Sequence, residues 1–154
     1  MQIGSGTFDI MPAITWLGQA GDWSWGAQGG ATIRFGENDR DWSLGDRYYS
    51  TAWWGRLLGD NVSASLRAEL ANVGDIDGMD AAPSVNPDVV PTARTDLRSG
   101  TTLDGGVGLN FYFPQTDALR FAGELLFPLY RNLDGPQLER DWTLVFGVQL
   151  VPVH

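Results

Sequence analysis

The chain has 154 residues, a formal net charge of −9, one histidine and no cysteine, and all ten of its basic residues are arginine. An acidic chain offers no basic face to phosphate, so no nucleic-acid partner is expected. The missing cysteines remove disulfide frameworks and thiolate chemistry, and a single histidine leaves neither a Ser-His-Asp triad nor a multi-histidine metal centre.

In chain order, Met1-Gln2-Ile3-Gly4-Ser5-Gly6 lacks the basic and apolar regions of a secretory signal. No run approaches the ~20 apolar residues of a spanning helix, which leaves β-strands of about 9–11 residues as the only way to cross a bilayer. A period of two begins at Phe8, with Phe8, Ile10, Pro12, Ile14 and Trp16 on one face and Asp9 and Thr15 on the other. It is clearer from Trp23 to Phe35, where Trp23, Trp25, Ala27, Gly29, Ala31, Ile33 and Phe35 alternate with Ser24, Gln28, Thr32 and Arg34. A further strand is expected from about Asp46 to Leu57, but Tyr48-Tyr49 and Trp53-Trp54 leave its facing open. Val62 to Leu70 sets leucine and alanine against Arg67 and Glu69, and Leu103 to Phe113 sets Leu103, Val107 and Leu109 against Asp104 and Asn110. Leu119 to Leu129 opposes Arg120, Glu124, Pro128 and Tyr130, and Trp142 to Leu150 closes the series. Strict alternation is the strand signal, and no window of similar length carries a 3.6-residue stripe.

The pattern predicts an all-β fold: an antiparallel transmembrane up-and-down β-barrel, or the C-terminal part of one, with about seven or eight strands in a single domain over residues 1–154. Connections alternate short (Gly21-Asp22, Gly59-Asp60-Asn61, Pro114 to Asp117) and long (Gly36 to Gly45, Gly74 to Gly100, Asn132 to Asp141), as periplasmic turns and extracellular loops do. Aromatics gather accordingly. Trp16, Trp23, Trp25, Trp53, Trp54, Phe111, Tyr112 and Phe113 lie beside short turns, and Phe35, Tyr48, Phe127, Tyr130 and Trp142 lie beside long ones, so two interfacial girdles are expected. An odd count conflicts with the even strand number of bacterial barrels. An eighth strand, completion by other chains, or a chain that is one part of a longer barrel would each resolve it.

A resemblance bears on that choice. Gly4-Ser5-Gly6-Thr7-Phe8-Asp9-Ile10, Gly18-Gln19, Asp22-Trp23-Ser24-Trp25-Gly26-Ala27-Gln28, Gly36-Glu37-Asn38-Asp39, Leu44-Gly45-Asp46-Arg47, Gly74-Asp75-Ile76-Asp77-Gly78 and Leu133-Asp134-Gly135-Pro136-Gln137-Leu138-Glu139 run through nearly the whole chain. Together they resemble the C-terminal half of the bacterial outer-membrane proteins of the meta-pathway phenol-degradation transporter family. The resemblance implies an outer-membrane barrel of a Gram-negative bacterium, a longer whole protein, and aromatic or hydrophobic solutes. Trp54 and the C-terminal Val151-Pro152-Val153-His154 depart from the family pattern.

The charges on the polar face are the informative group. Near the bilayer midplane each would cost about 2–4 kcal/mol toward lipid, so they are expected to face a lumen. The lining so read comprises Asp9, Gln28, Arg34, Arg67, Glu69, Asp104, Asn110, Arg120 and Glu124. Both signs occur in similar number, which disfavours a strongly ion-selective pore. Asp75, Asp77 and Asp80 space their carboxylates like a calcium loop but lack its glycine position and its terminal glutamate, so they are weak metal candidates against a solvated turn. Gly105-Gly106-Val107-Gly108 lies within a strand pattern, where small residues allow close packing rather than phosphate binding. The leading expectation is a passive channel or transporter for small molecules, in contact with outer-membrane lipid and lipopolysaccharide, without cofactor, and constricted by the proline-bearing Gly74–Gly100 loop (Pro83, Pro87, Pro91). The alternatives are a structural barrel with an ion-paired, closed lumen that acts as an assembly partner, and a soluble all-β module that binds carbohydrate through exposed aromatics. Nothing assembles a nucleophile, base and oxyanion donors, so an enzyme is not expected.

Overall fold

The computed structural model describes residues 5–78, 94–113, 119–135 and 137–150. It is an all-β protein built on one antiparallel sheet. In chain order the strands are β1 (Phe8–Ile10), β2 (Ala13–Ala20), β3 (Trp23–Phe35), β4 (Trp42–Ser43), β5 (Arg47–Leu57), β6 (Val62–Val73), β7 (Asp77–Gly78), β8 (Gly100–Phe113), β9 (Leu119–Leu133) and β10 (Thr143–Leu150). Each of β3, β5, β6, β8, β9 and β10 pairs with its neighbour in that order, and β1 and β2 both pair with β3. These two occupy a single lane. Ile10 faces Ile33 and Ala13 faces Gly30, so the register passes through Met11-Pro12 without a slip. Proline is tolerated there because the lane lies at the sheet edge, where one side needs no ladder donor. The sheet thus has the seven lanes read from the alternation. The tiny β4–β7 ladder stands apart and ties two loops together.

The central strands are long: 13 residues in β3, 11 in β5, 12 in β6, 14 in β8 and 15 in β9. Strands of globular proteins average about 5–6. Short turns collect at one rim. Gly21 at φ 55° opens the two-residue β2–β3 hairpin, the position where a type II′ turn needs a glycine. The expected short connection from Pro114 to Asp117 lies outside the described residues. At the other rim the loops are knitted. The Gly74 amide donates to the Asp46 carbonyl at 2.9 Å, Asp75 Oδ1 accepts from the Ser99 amide at 2.9 Å, and the Asp134 amide donates to the Ser99 carbonyl at 3.0 Å. Asn38, 5% exposed, folds the first loop by accepting from the Arg40 amide at 2.8 Å.

Among the described residues this sheet encloses no apolar core. No large side chain among the described residues is fully buried, and the exposed apolar residues include Ile14 at 79%, Trp16 at 62% and Phe146 at 78%. The chain exposes 10,821 Å², where a compact soluble monomer of this mass leaves about 7,700 Å². β2 and β10 are open along their outer sides, and among the described residues no ladder joins them. Among the described residues the sheet thus keeps two unpaired edges and an uncovered apolar face.

Candidate functional site, a polar sheet face with paired charges

Residues directly opposite in antiparallel strands share a face. Asp9 opposes Arg34, Gln28 opposes Thr51, Thr51 opposes Glu69, and Glu69 opposes Asp104. Gly108 opposes Glu124, and Tyr112 opposes Arg120. By this register all nine residues read as a lining, Asp9, Gln28, Arg34, Arg67, Glu69, Asp104, Asn110, Arg120 and Glu124, lie on one face. The opposite face carries Ile14, Trp16, Trp25, Trp54, Leu66, Leu70, Val107, Leu109, Phe121, Leu125, Phe146 and Val148.

The ambiguous β5 is settled by the same register. Trp25 opposes Trp54 and Ala31 opposes Tyr48, so Trp54 and Tyr48 take the apolar face, while Trp53 and Tyr49 oppose Gly26 and Gly30 on the polar one. Two residues assigned to the short-turn girdle, Trp53 and Tyr112, therefore belong to the polar face. The remaining girdle is compact. Trp23 stacks on Trp54 with centroids 4.6 Å apart, the Arg56 guanidinium lies 4.7 Å above the Trp23 ring, and Trp16 and Trp25 are 6.4 Å apart. Phe113 and Phe121 meet edge to face at 5.9 Å.

Arg131 is a member that alternation missed. Parity places Tyr130 on the polar face. A bulge intervenes, since Asp104 opposes Pro128 while Leu103 opposes Tyr130, leaving Leu129 as the extra residue. Beyond it the faces exchange. Tyr130 turns to the apolar side, and Arg131, opposite Thr102, turns to the polar side. There its guanidinium pairs with Asp104, and it donates to the Leu103 carbonyl at 3.3 Å. Arg140 approaches the same carboxylate at 3.5 Å. Pro128 was the available signal, because proline inside a strand favours bulges and positions without a ladder partner. β10 pairs with β9 only over Leu119 to Leu126, so Pro128 lies beyond that ladder.

The other charges pair across lanes. Arg34 lies 3.7 Å from Asp9, whose carboxylate also accepts from Thr7 Oγ1 at 2.7 Å and Ser5 Oγ at 3.0 Å. Arg67 Nε meets Glu124 Oε1 at 2.9 Å, although β8 runs between their strands. Glycine makes that reach possible: a Cβ on Gly106 would come 3.4 Å from both Arg67 Cβ and Glu124 Oε1, and 2.7 Å from Leu126 Cδ2. The Gly-Gly-Val-Gly stretch is thus the floor beneath an ion pair. Replacing Gly106 by valine is expected to cost about 1–3 kcal/mol by overpacking and to separate Arg67 from Glu124. Urea unfolding of Gly106→Val, compared with Gly106→Val in an Arg67→Met background, measures the two contributions. Arg120 donates to Asn110 Oδ1 at 2.9 Å.

The metal reading gains no support from the loop geometry. Asp75 is spent on the backbone amides of Arg98 and Ser99, Asp77 belongs to β7, and Asp80 lies outside the described residues. Among the described residues no group of three or more His, Asp or Glu could hold an ion. In the same loop region, hydrogen bonding from Arg94 holds the Asp96 carboxyl below the usual carboxylate range. The Pro83, Pro87 and Pro91 portion of the expected constriction loop is outside the described residues.

No helix among the described residues is long and apolar enough to cross a membrane, which says nothing of strands. No protein-family model, curated protein or solved structure matches the chain.

Proposed function

We propose that the chain is part of the wall of a bacterial outer-membrane β-barrel, and that this barrel is a passive channel for small molecules. The observation that carries the reading is the division of the sheet: one uncovered apolar face with an aromatic belt, and one face that holds paired charges in the middle of long strands. Lipid suits the first, because every backbone group of a closed sheet is satisfied without water. Water suits the second. The open sides of β2 and β10 then need further strands, from another stretch of polypeptide or from another chain. The resemblance to the phenol-degradation transporters supports aromatic or hydrophobic solutes as the cargo, and the acidic Glu37, Asp39 and Asp41 suit the cation-bridged lipopolysaccharide surface. No cofactor or catalytic role is proposed.

A second reading is a structural barrel whose lumen is closed by its own ion pairs, favoured by Asp104 and Glu124 each being held by arginine. Reconstitution decides between them. The channel reading expects protein that migrates heat-modifiably on detergent gels and admits small solutes in a liposome-swelling assay. Heat-modifiable protein without solute flux favours the structural barrel. A detergent-free soluble monomer overturns both membrane readings.

A further inference from the structure

We infer that Arg56 and the two hairpin turns beside it hold the headgroup of a phosphatidylethanolamine at the short-turn rim. This rests on the reading of the apolar face as the lipid-facing one. Among the described residues of the main sheet, register puts a single charged side chain on that face. It is Arg56, opposite Trp23 and Ala64. Arg56 stands one residue from the end of β5, beside the belt formed by Trp16, Trp23, Trp25 and Trp54. Depth explains why a charge is tolerated there. Arginine toward lipid costs about 2–4 kcal/mol at the bilayer midplane but only about 0–1 kcal/mol near the interface.

The guanidinium lies 4.7 Å from the Trp23 ring centre, and Trp23 in turn stacks on Trp54. That ring attracts the cation, yet among the described residues Arg56 makes no hydrogen bond or ion pair. Beside it opens a cleft of about 650 Å³, lined by Asp22, Arg56, Leu57, Leu58, Gly59 and Asp60. Asp22 belongs to the β2–β3 turn and Asp60 to the β5–β6 turn. The Leu57 amide ties the first turn to β5 by donating to the Asp22 carbonyl at 2.8 Å. Neither carboxylate has a hydrogen-bond or ion-pair partner among the described residues. One rim cleft thus gathers an unspent cation and two unspent carboxylates, next to indoles on the lipid side.

That set is complementary to a zwitterionic headgroup. The paired oxygens of a phosphodiester match the N–H fork of arginine, and a primary ammonium carries three donors for Asp22 and Asp60. Phosphatidylglycerol offers the phosphate without the cation, and brings its net negative charge to two carboxylates. Inorganic phosphate has the same acceptor oxygens but no acyl chains to lie along the indoles.

The test adds dioleoyl phosphatidylethanolamine or dioleoyl phosphatidylglycerol to the full chain in detergent micelles, read by native mass spectrometry. A saturable phosphatidylethanolamine adduct is expected, stronger than the phosphatidylglycerol adduct and not displaced by inorganic phosphate. Arg56→Gln should weaken it roughly tenfold, the loss of a charge-assisted hydrogen bond. Asp22→Asn combined with Asp60→Asn leaves Arg56 and the indoles in place and should abolish the preference between the two lipids. Arg47→Gln removes the other arginine that lies over a ring, at the far end of β5 on the polar face, and should change nothing. Equal binding of both lipids by the unaltered chain, displacement by inorganic phosphate, or an adduct insensitive to Arg56→Gln overturns the headgroup site. A chain that needs detergent but takes up no phosphatidylethanolamine overturns the site and keeps the membrane reading. A chain that stays monomeric without detergent and takes up no lipid overturns both.

Discussion

Replacing Asp104 by asparagine is expected to destabilise the sheet by about 3 kcal/mol, toward the lower end of the cost of removing one partner from a buried ion pair. Asp104 and Arg131 are 9% and 13% exposed in their side chains, and the carboxylate is the shared partner of Arg131 and Arg140. Without it the Arg131 guanidinium keeps only the carbonyls of Leu103 and Tyr130, at 3.3 and 3.1 Å, at the point where the bulge has turned it inward. Urea unfolding in lipid vesicles measures the loss. Asp104→Asn combined with Arg131→Met removes the stranded charge as well, so the double variant should recover most of the stability, giving a coupling energy that a surface pair would not show. A single-variant effect within about 0.5 kcal/mol would place Asp104 among ordinary surface residues and sink the argument.

Arginine at position 66 should be far more damaging than arginine at position 65. Leu66, 56% exposed, lies mid-strand on the apolar face opposite Trp54 and Val107. If that face meets hydrocarbon, Leu66→Arg costs about 2–4 kcal/mol. Ser65 points the other way and is flanked in register by Gly55 and Gly108, which leave room for a long side chain. Ser65→Arg should therefore change stability by less than about 1 kcal/mol. Equilibrium unfolding of both variants in vesicles reads the difference. Equal tolerance would mean that the apolar face meets water, and a reversed order would mean that the polar face is the packed one.

Much of this architecture was legible in the residues. Alternation fixes a strand wherever one side is apolar, because a slip of one residue would exchange every side chain between faces. Trp23 to Phe35 and Val62 to Leu70 carry that signal without interruption, and there the strand register follows the alternation, setting Gln28, Arg34, Arg67 and Glu69 on one face. The signal fails where both neighbours are aromatic. Tyr48-Tyr49 and Trp53-Trp54 satisfy either phase equally, and only pairing with Gly26 and Gly30 on β3 selects one. It also fails at Pro128, where one inserted residue reverses the parity and delivers Arg131 to Asp104 from a position that the pattern gives to the other face.

The sequence by itself determined the class of the fold, the two-sided sheet, and the segregation of long loops from short turns, since these follow from local periodicity and turn chemistry. The tertiary structure alone decided which charges meet. Arg67 and Glu124 lie far apart in sequence, and they touch only because β8 passes between them without side chains at Gly106 and Gly108. It likewise decided that Tyr49 and Trp53 lie against Gly30 and Gly26 of β3. Contacts between lanes depend on register and on the space left by a third strand, and no local pattern encodes either.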